Sequence, residues 1–343
     1  MKNYPKLALF TIFALLCSVA PALAHTAADP EWTPGARMTQ AMHRLIHEAD
    51  HHEEDSDNDG ISNKTDSDDD NDGISDKEDK DDDGDGEADS ASVSAEEEDY
   101  GFDKAGASSL YGGFCIEDDP IKYGKNLEAG VRYLFVLAGD DGANDVDLDI
   151  LDEKGNVVAS EAKSDGDNLA AVEFVPPTTG RYTLRATLDE GGEHEFLALA
   201  VLRDEGGIDI AEEQFDAAYN DLIELGGKLE KEQPTVFLEE KGKWALFGGV
   251  MNAGQTLGVD SNLCEGQCFL AAAADSKIKG LELLLNDMSG KNLAKETDVA
   301  EHHLVIERKT SAKERFQLRA KNTASDGPSF VLMAVFQGMK DEG

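Results

Sequence analysis

Four blocks of this sequence return, in the same order, further along the chain. Leu110-Tyr-Gly-Gly-Phe114 returns as Leu246-Phe-Gly-Gly-Val250. The stretch from Val146 to Ala159 returns as Leu281 to Ala294. Arg181-Tyr-Thr-Leu-Arg-Ala186 returns as Arg315-Phe-Gln-Leu-Arg-Ala320, and Glu195 to Leu202 returns as Ser329 to Phe336. Repeated order over four blocks makes this an internal duplication. Each copy carries strand signals. Val146, Leu148 and Ile150 alternate with Asp145, Asp147 and Asp149, and Tyr182, Leu184 and Ala186 alternate with Arg181, Thr183 and Arg185. Period-two alternation bounded by Asp-Gly and Lys-Gly-Asn turns predicts antiparallel strands with one face buried. Several such strands per copy predict a mainly β chain of two tandem antiparallel β-sandwich (jelly-roll-like) domains, at 107–204 and 235–343. Between them, Phe215, Tyr219, Leu222, Leu225 and Leu229 recur at helical spacing and predict a linker helix within 205–234.

The first copy carries Asp145-Val-Asp147-Leu148, Lys154-Gly155 and Pro177-Thr-Thr-Gly180-Arg181-Tyr182-Thr-Leu184. Here it resembles the bacterial pre-peptidase C-terminal domain, a jelly-roll-like sandwich often appended to secreted proteases. The second copy departs from that pattern, with Gly280, Glu282 and Leu284 in place of the three aspartates and Lys313-Glu314 in place of Thr179-Gly180. The resemblance implies assistance in secretion or binding of extracellular polymers. Asp140, Asp141, Asp145 and Asp147 are read as a solvated strand face, with a further calcium site at a strand edge as the alternative.

The charge is concentrated elsewhere. The chain has a formal net charge of −41, and residues 51–99 hold 23 Asp or Glu against three Lys, leaving 20 of those 41 charges there. Such a field excludes nucleic acid and anionic membranes as electrostatic partners and favours cations. Within 55–92 the acids keep a thirteen-residue beat. The first loop has Asp55, Asp57, Asp59, Gly60, Ile61, Asn63 and Asp66. The second has Asp68, Asp70, Asp72, Gly73, Ile74, Asp76 and Asp79. The third has Asp81, Asp83, Asp85, Gly86, Glu87 and Asp89, with Ser92 where the others close on a carboxylate. Calcium takes six to eight oxygens at ~2.3–2.6 Å. Carboxylates at loop positions 1, 3 and 5 converge on it when glycine at position 6 allows a tight turn, because glycine reaches positive φ at little cost. Position 7 adds its backbone carbonyl, from Ile61, Ile74 or Glu87, and positions 9 and 12 complete the set. About three calcium sites are expected, the third weaker. The pattern resembles thrombospondin type 3 calcium repeats and the loops of dockerins and EF-hands. Position 12 is not Glu and no helix pairs flank the loops, so stacked thrombospondin-like loops are expected rather than helix–loop–helix units. The alternative, a self-repelling acidic linker, needs no glycine at a fixed offset.

Residues 25–54 predict an amphipathic helix with Met38, Ala41, Met42, Leu45, Ile46 and Ala49 on its apolar stripe and His43, His47 and His51 on another face. His47-Glu-Ala-Asp-His51 matches H-E-x-x-H, the zinc-protease signature. No sheet precedes it to form a substrate cleft, and Glu54 and Asp57 occupy positions where the extended signature needs Gly and His. The histidines are therefore read as the polar face of a surface helix. Weak transition-metal binding at His43, His47 and His51 is the alternative, and a secreted metalloprotease or protease-accessory role the enzymatic one. An N-terminal copper site at His25 lacks an evident second histidine.

Compartment follows from the first residues. Lys2 and Lys6 precede an apolar run from Leu7 to Val19, and Ala22-Leu23-Ala24 offers a cleavage site, so 1–24 reads as a secretory signal peptide. Leu16 before Cys17 argues against a lipoprotein. Cys264 and Cys268, four apart, are placed to pair in an oxidising compartment, and Cys115 reads as a buried strand thiol. The reading is an exported, non-enzymatic calcium-binding protein of the bacterial periplasm or extracellular space. Residues 55–92 act as a calcium-stiffened spacer, followed by an acidic linker at 93–106, and the sandwiches bind an extracellular or envelope protein or polysaccharide. No transmembrane segment is expected.

Overall fold

The computed structural model describes residues 37–45 apart from 43, and 100–338 apart from 118, 162–167, 193–194, 233–235, 239–242, 264, 299–301 and 312–313. Residues 37–42, 44 and 45 are helical and are labelled α1. The first copy then runs β1 (Gly101–Phe102), β2 (Leu110–Cys115), β3 (Ile121–Leu127), β4 (Tyr133–Gly139), β5 (Ala143–Leu151), β6 (Val157–Glu161), β7 (Leu169–Phe174), β8 (Gly180–Gly191) and β9 (Glu195–Arg203). Helix α2 (Glu212–Glu232) leads into the second copy. This runs β10 (Val236–Leu238), β11 (Leu246–Met251), β12 (Thr256–Leu263), β13 (Gly266–Ala274), β14 (Ile278–Asp287), β15 (Asn292–Asp298), β16 (His303–Thr310), β17 (Glu314–Ser325) and β18 (Ser329–Gly338). The chain is mainly β, built as antiparallel sandwiches, as the alternation predicts.

Each copy has its own four-stranded outer sheet, β3-β8-β5-β6 and β12-β17-β14-β15. The inner sheets are not separate. β2 and β11 pair antiparallel, with Leu246 opposite Gly112 and Gly248 opposite Leu110. The two copies thereby share one ten-stranded sheet with a spine of β16-β13-β18-β11-β2-β9-β4-β7. The tandem arrangement expected from sequence is thus one continuous body joined at β2 and β11.

The repeated Gly-Gly explains how the strands meet. A Cβ on Gly113 would lie 2.2 Å from Lys243 O, and one on Gly249 would lie 2.5 Å from Ala107 O. Only glycine lets the two backbones approach so closely at the junction. Around it the hydrogen bonds repeat as the sequence does: Ala245 N–H donates to Gly112 O at 2.8 Å, and Ser109 N–H to Gly248 O at 2.9 Å. The hairpin turns repeat too. Asp152 accepts from the N–H groups of Lys154 and Asn156, and Asp287 from those of Ser289 and Lys291, with Gly155 and Gly290 at φ 82° and 85°.

The packing has three layers. Between the central and outer sheets lies one apolar layer running through both copies, including Tyr111, Phe135, Leu148, Leu184, Phe247, Leu283 and Leu318. The other face of the central sheet is also buried. Leu134, Val136, Phe196, Ala198, Leu332 and Ala334 point there, covered by α1 and α2. This corrects the expectation of strands with one buried face. β4, β9 and β18 carry near-continuous apolar runs because both their faces are enclosed. The linker helix forms as predicted and covers its own copy, packing on β13 and β18.

Candidate functional site

The predicted calcium ligands, Asp55 through Asp89, lie outside the described residues, as do His43, His47 and His51. The structure does show what brackets them. Leu45, the last described residue of α1, is fully buried in the cluster on the outer face of the central sheet, and Tyr100 packs against the same cluster. Tyr100 also donates to Glu173 on β7. The acidic stretch thus leaves and rejoins one body.

Helix α1 is held by polar contacts to the turn after β4. Asp140 is buried and accepts from Phe196 N–H at 3.1 Å, Gly142 N–H at 3.1 Å and Arg37 at 3.2 Å. Arg37 also pairs with Glu195, which is buried beside it. Burial pushes the Asp140 carboxyl above its ordinary value, against the pull of the Phe196 N–H and the Arg37 guanidinium. Arg44 donates to Gly139 O at 2.6 Å and pairs with Asp141, and Gln40 donates to Asp141 at 2.6 Å. Asp140 and Asp141 therefore anchor the helix from the turn; the solvated reading is corrected for Asp140, which is buried, while Asp141 is exposed. Asp145 and Asp147 stand instead on the outer sheet, on the strand face that points away from Val146 and Leu148. Burial, and then the carboxylates of Asp189, Asp145, Asp149 and Glu161, push the Asp147 carboxyl up. Asp149 is held by Arg185 at 2.5 Å and by Ser160 at 2.7 Å. Among the described residues no group of three or more His, Cys, Asp or Glu is arranged to hold a metal ion.

A second polar cluster was not anticipated from sequence. Lys125 and Asp103 are both buried, with Nζ 2.8 Å from Oδ2. Arg203 reaches Asp103 at 3.3 Å and lies over the Tyr133 ring at 5.6 Å. Burial drives Asp103 upward, but the charge and hydrogen bond of Lys125, with Lys104 N–H and Arg203, outweigh it and hold the carboxyl below its ordinary value. Burial also pushes Lys125 down, opposed by Asp103. Closed inside the fold and internally paired, this cluster fastens β1 and the chain after it to β3 and β9.

A cavity of about 240 Å³ opens between the β5–β6 turn and the start of β8, lined by Asp152, Glu153, Lys154 and Thr178 to Tyr182. Of these, Lys154 and Thr178 to Tyr182 belong to the pattern on which the sequence resemblance rests. The volume is below the ~300–1,000 Å³ usual for small-molecule sites, and the lining is polar. Cys115 is buried, and burial pushes its thiol well above the ordinary value, so it is poorly suited to nucleophilic chemistry. Cys268 is disulfide-bonded; its predicted partner Cys264 lies outside the described residues.

Neither a protein-family profile nor any curated protein matches the sequence. Among solved structures, the PBSX exported protein XepA is 12% identical over 70% of this chain and 98% of its own, with a TM-score of 0.20. A conserved protein of unknown function from Pseudomonas aeruginosa PAO1 is 10% identical over 64% of this chain and 80% of its own, with a TM-score of 0.18. The secreted serine protease VesC from Vibrio cholerae is 12% identical over 70% of this chain and 50% of its own, with a TM-score of 0.20. Likenesses at these TM-scores carry no functional argument. No helix among the described residues is long and apolar enough to cross a membrane.

Proposed function

We propose that the chain is an exported, non-enzymatic calcium-binding protein. Its acidic repeats take up about three calcium ions in thrombospondin-like loops, and its double sandwich offers a rigid platform for an extracellular or envelope protein or polysaccharide. The observation that carries this reading is the thirteen-residue beat of Asp-x-Asp-x-Asp-Gly across 55–92. Hard oxygen donors converging at a glycine turn suit calcium better than magnesium, which demands a tight octahedron and keeps several waters. Leu45, before the repeat segment, and Tyr100, after it, both pack on the same body.

Calorimetric titration of the processed chain with CaCl₂ tests the proposal. Uptake near three equivalents is expected, most of it lost when Asp57, Asp70 and Asp83 are changed to Asn. A chain that retains no calcium at millimolar supply would overturn it.

A further inference from the structure

The duplication extends beyond the sandwiches. Met38, Ala41, Met42 and Leu45 of α1 match Phe215, Ala218, Tyr219 and Leu222 of α2 in spacing, and all eight are buried in one cluster on the central sheet. The polar latch is duplicated as well. Asp140 Oδ2 accepts from Phe196 N–H at 3.1 Å and from Arg37 at 3.2 Å; Asp275 Oδ2 accepts from Phe330 N–H at 2.9 Å and from Gln214 at 2.5 Å. Asp140 and Asp275 are separated along the chain by the same interval as Phe196 and Phe330, to within one position. The repeated unit is therefore a helix plus its sandwich.

The spacing locates a discontinuity. The interval from Met38 to Phe215 is much longer than the interval from Leu110 to Leu246. The first strands already follow the shorter spacing, since Gly101 pairs with Arg203 on β9 as Phe237 pairs with Gln337 on β18. The excess thus falls between Leu45 and Gly101, and its length is close to the three thirteen-residue periods that the acidic repeats supply there.

We infer that the acidic repeats are a guest inserted into the helix-to-strand connection of the first copy, and that calcium taken up there tightens the seat of α1. The second half rests on the calcium reading above. The physical link is loop closure. The cost of holding α1 on its seat grows with the flexible length that joins it to β1. If calcium fixes the loops, the chain to be closed between Leu45 and Gly101 falls from about fifty residues to about fifteen, which would raise the local concentration of α1 at its seat roughly six-fold. Helix α2, on its short connection, gains nothing directly; it touches α1 through the Thr39–Tyr219 hydrogen bond at 2.9 Å.

Native-state hydrogen exchange of α1, with α2 as internal control, tests this in the full chain and in a variant lacking residues 55–92. The deletion brings the connection from Leu45 to Gly101 close in length to the one from Leu222 to Phe237. This variant should fold with both helices protected and show no response to calcium. In the full chain calcium should slow exchange of α1 about six-fold and leave α2, beyond the turn that carries Tyr219, unchanged. A second variant, with a Gly/Ser stretch of equal length in place of 55–92, should also fold and ignore calcium. Failure of both variants to fold or to protect α1 would overturn the insertion. Calcium that binds by calorimetry yet leaves α1 exchange unchanged would overturn the coupling. Absence of binding would defeat the calcium reading itself, and the two variants would then decide the insertion alone.

Discussion

Gly113 and Gly249 sit where the two copies meet, each facing a backbone carbonyl across the junction. Gly249→Val would force that contact apart and should cost about 1–3 kcal/mol or more in urea unfolding, the range of overpacked interiors. Asp103 makes a different demand. Asp103→Asn leaves Lys125 buried opposite a neutral group, and removing one partner of a buried pair costs about 3–5 kcal/mol. Asp103 has a folded-state value lowered below its unfolded one, so its contribution is complete above the unfolded value of about 3.9 and fades as pH falls through the folded value. The stability gap between wild type and Asp103→Asn, measured by urea melts, should therefore hold from pH 6 down to about 4 and shrink below it. Cys115 shows what the residue pattern did convey: a lone thiol in an apolar strand run was legible as buried. Alkylation should label it only after unfolding. The Asp103–Lys125–Arg203 cluster was not legible, because its members lie far apart along the chain and nothing local marks them as partners.

At the scale of elements, the alternation in β5 and β8 was enough to place their inner faces, since one side of each outer sheet faces away from the core. The runs in β4, β9, β13 and β18 carried a second message. A strand apolar at nearly every position is one covered on both faces, and here the covers are α1 and α2. The Gly-Gly motif was visible as a repeat, but its meaning depends on β2 and β11 lying side by side. That pairing also sets a prediction. A chain beginning at residue 205 would expose the edge of β11 that β2 normally occupies. Unpaired edges invite association, so this half should self-associate in sedimentation experiments at micromolar concentration, whereas the full chain should not do so through this edge.

For the whole molecule, the shared sheet and the single apolar layer through both copies argue for cooperative unfolding. Trp244 lies at the junction, 6.1 Å from Tyr111 between ring centroids. In a Trp32→Phe background its fluorescence should report unfolding of the junction at the same denaturant midpoint as far-UV circular dichroism; separated midpoints would show the copies melting independently. What the sequence by itself determined is periodic: the duplication, the strand alternation, the helix between the copies and the thirteen-residue acidic beat, each written in a pattern of residue spacings. The tertiary structure decided the rest. It fused two sandwiches into one sheet, turned Asp140 and Asp141 into anchors for α1, and paired each helix with its own copy. These outcomes depend on which surfaces remain to be covered once local elements exist, and burial is settled by the whole surface rather than by any one segment.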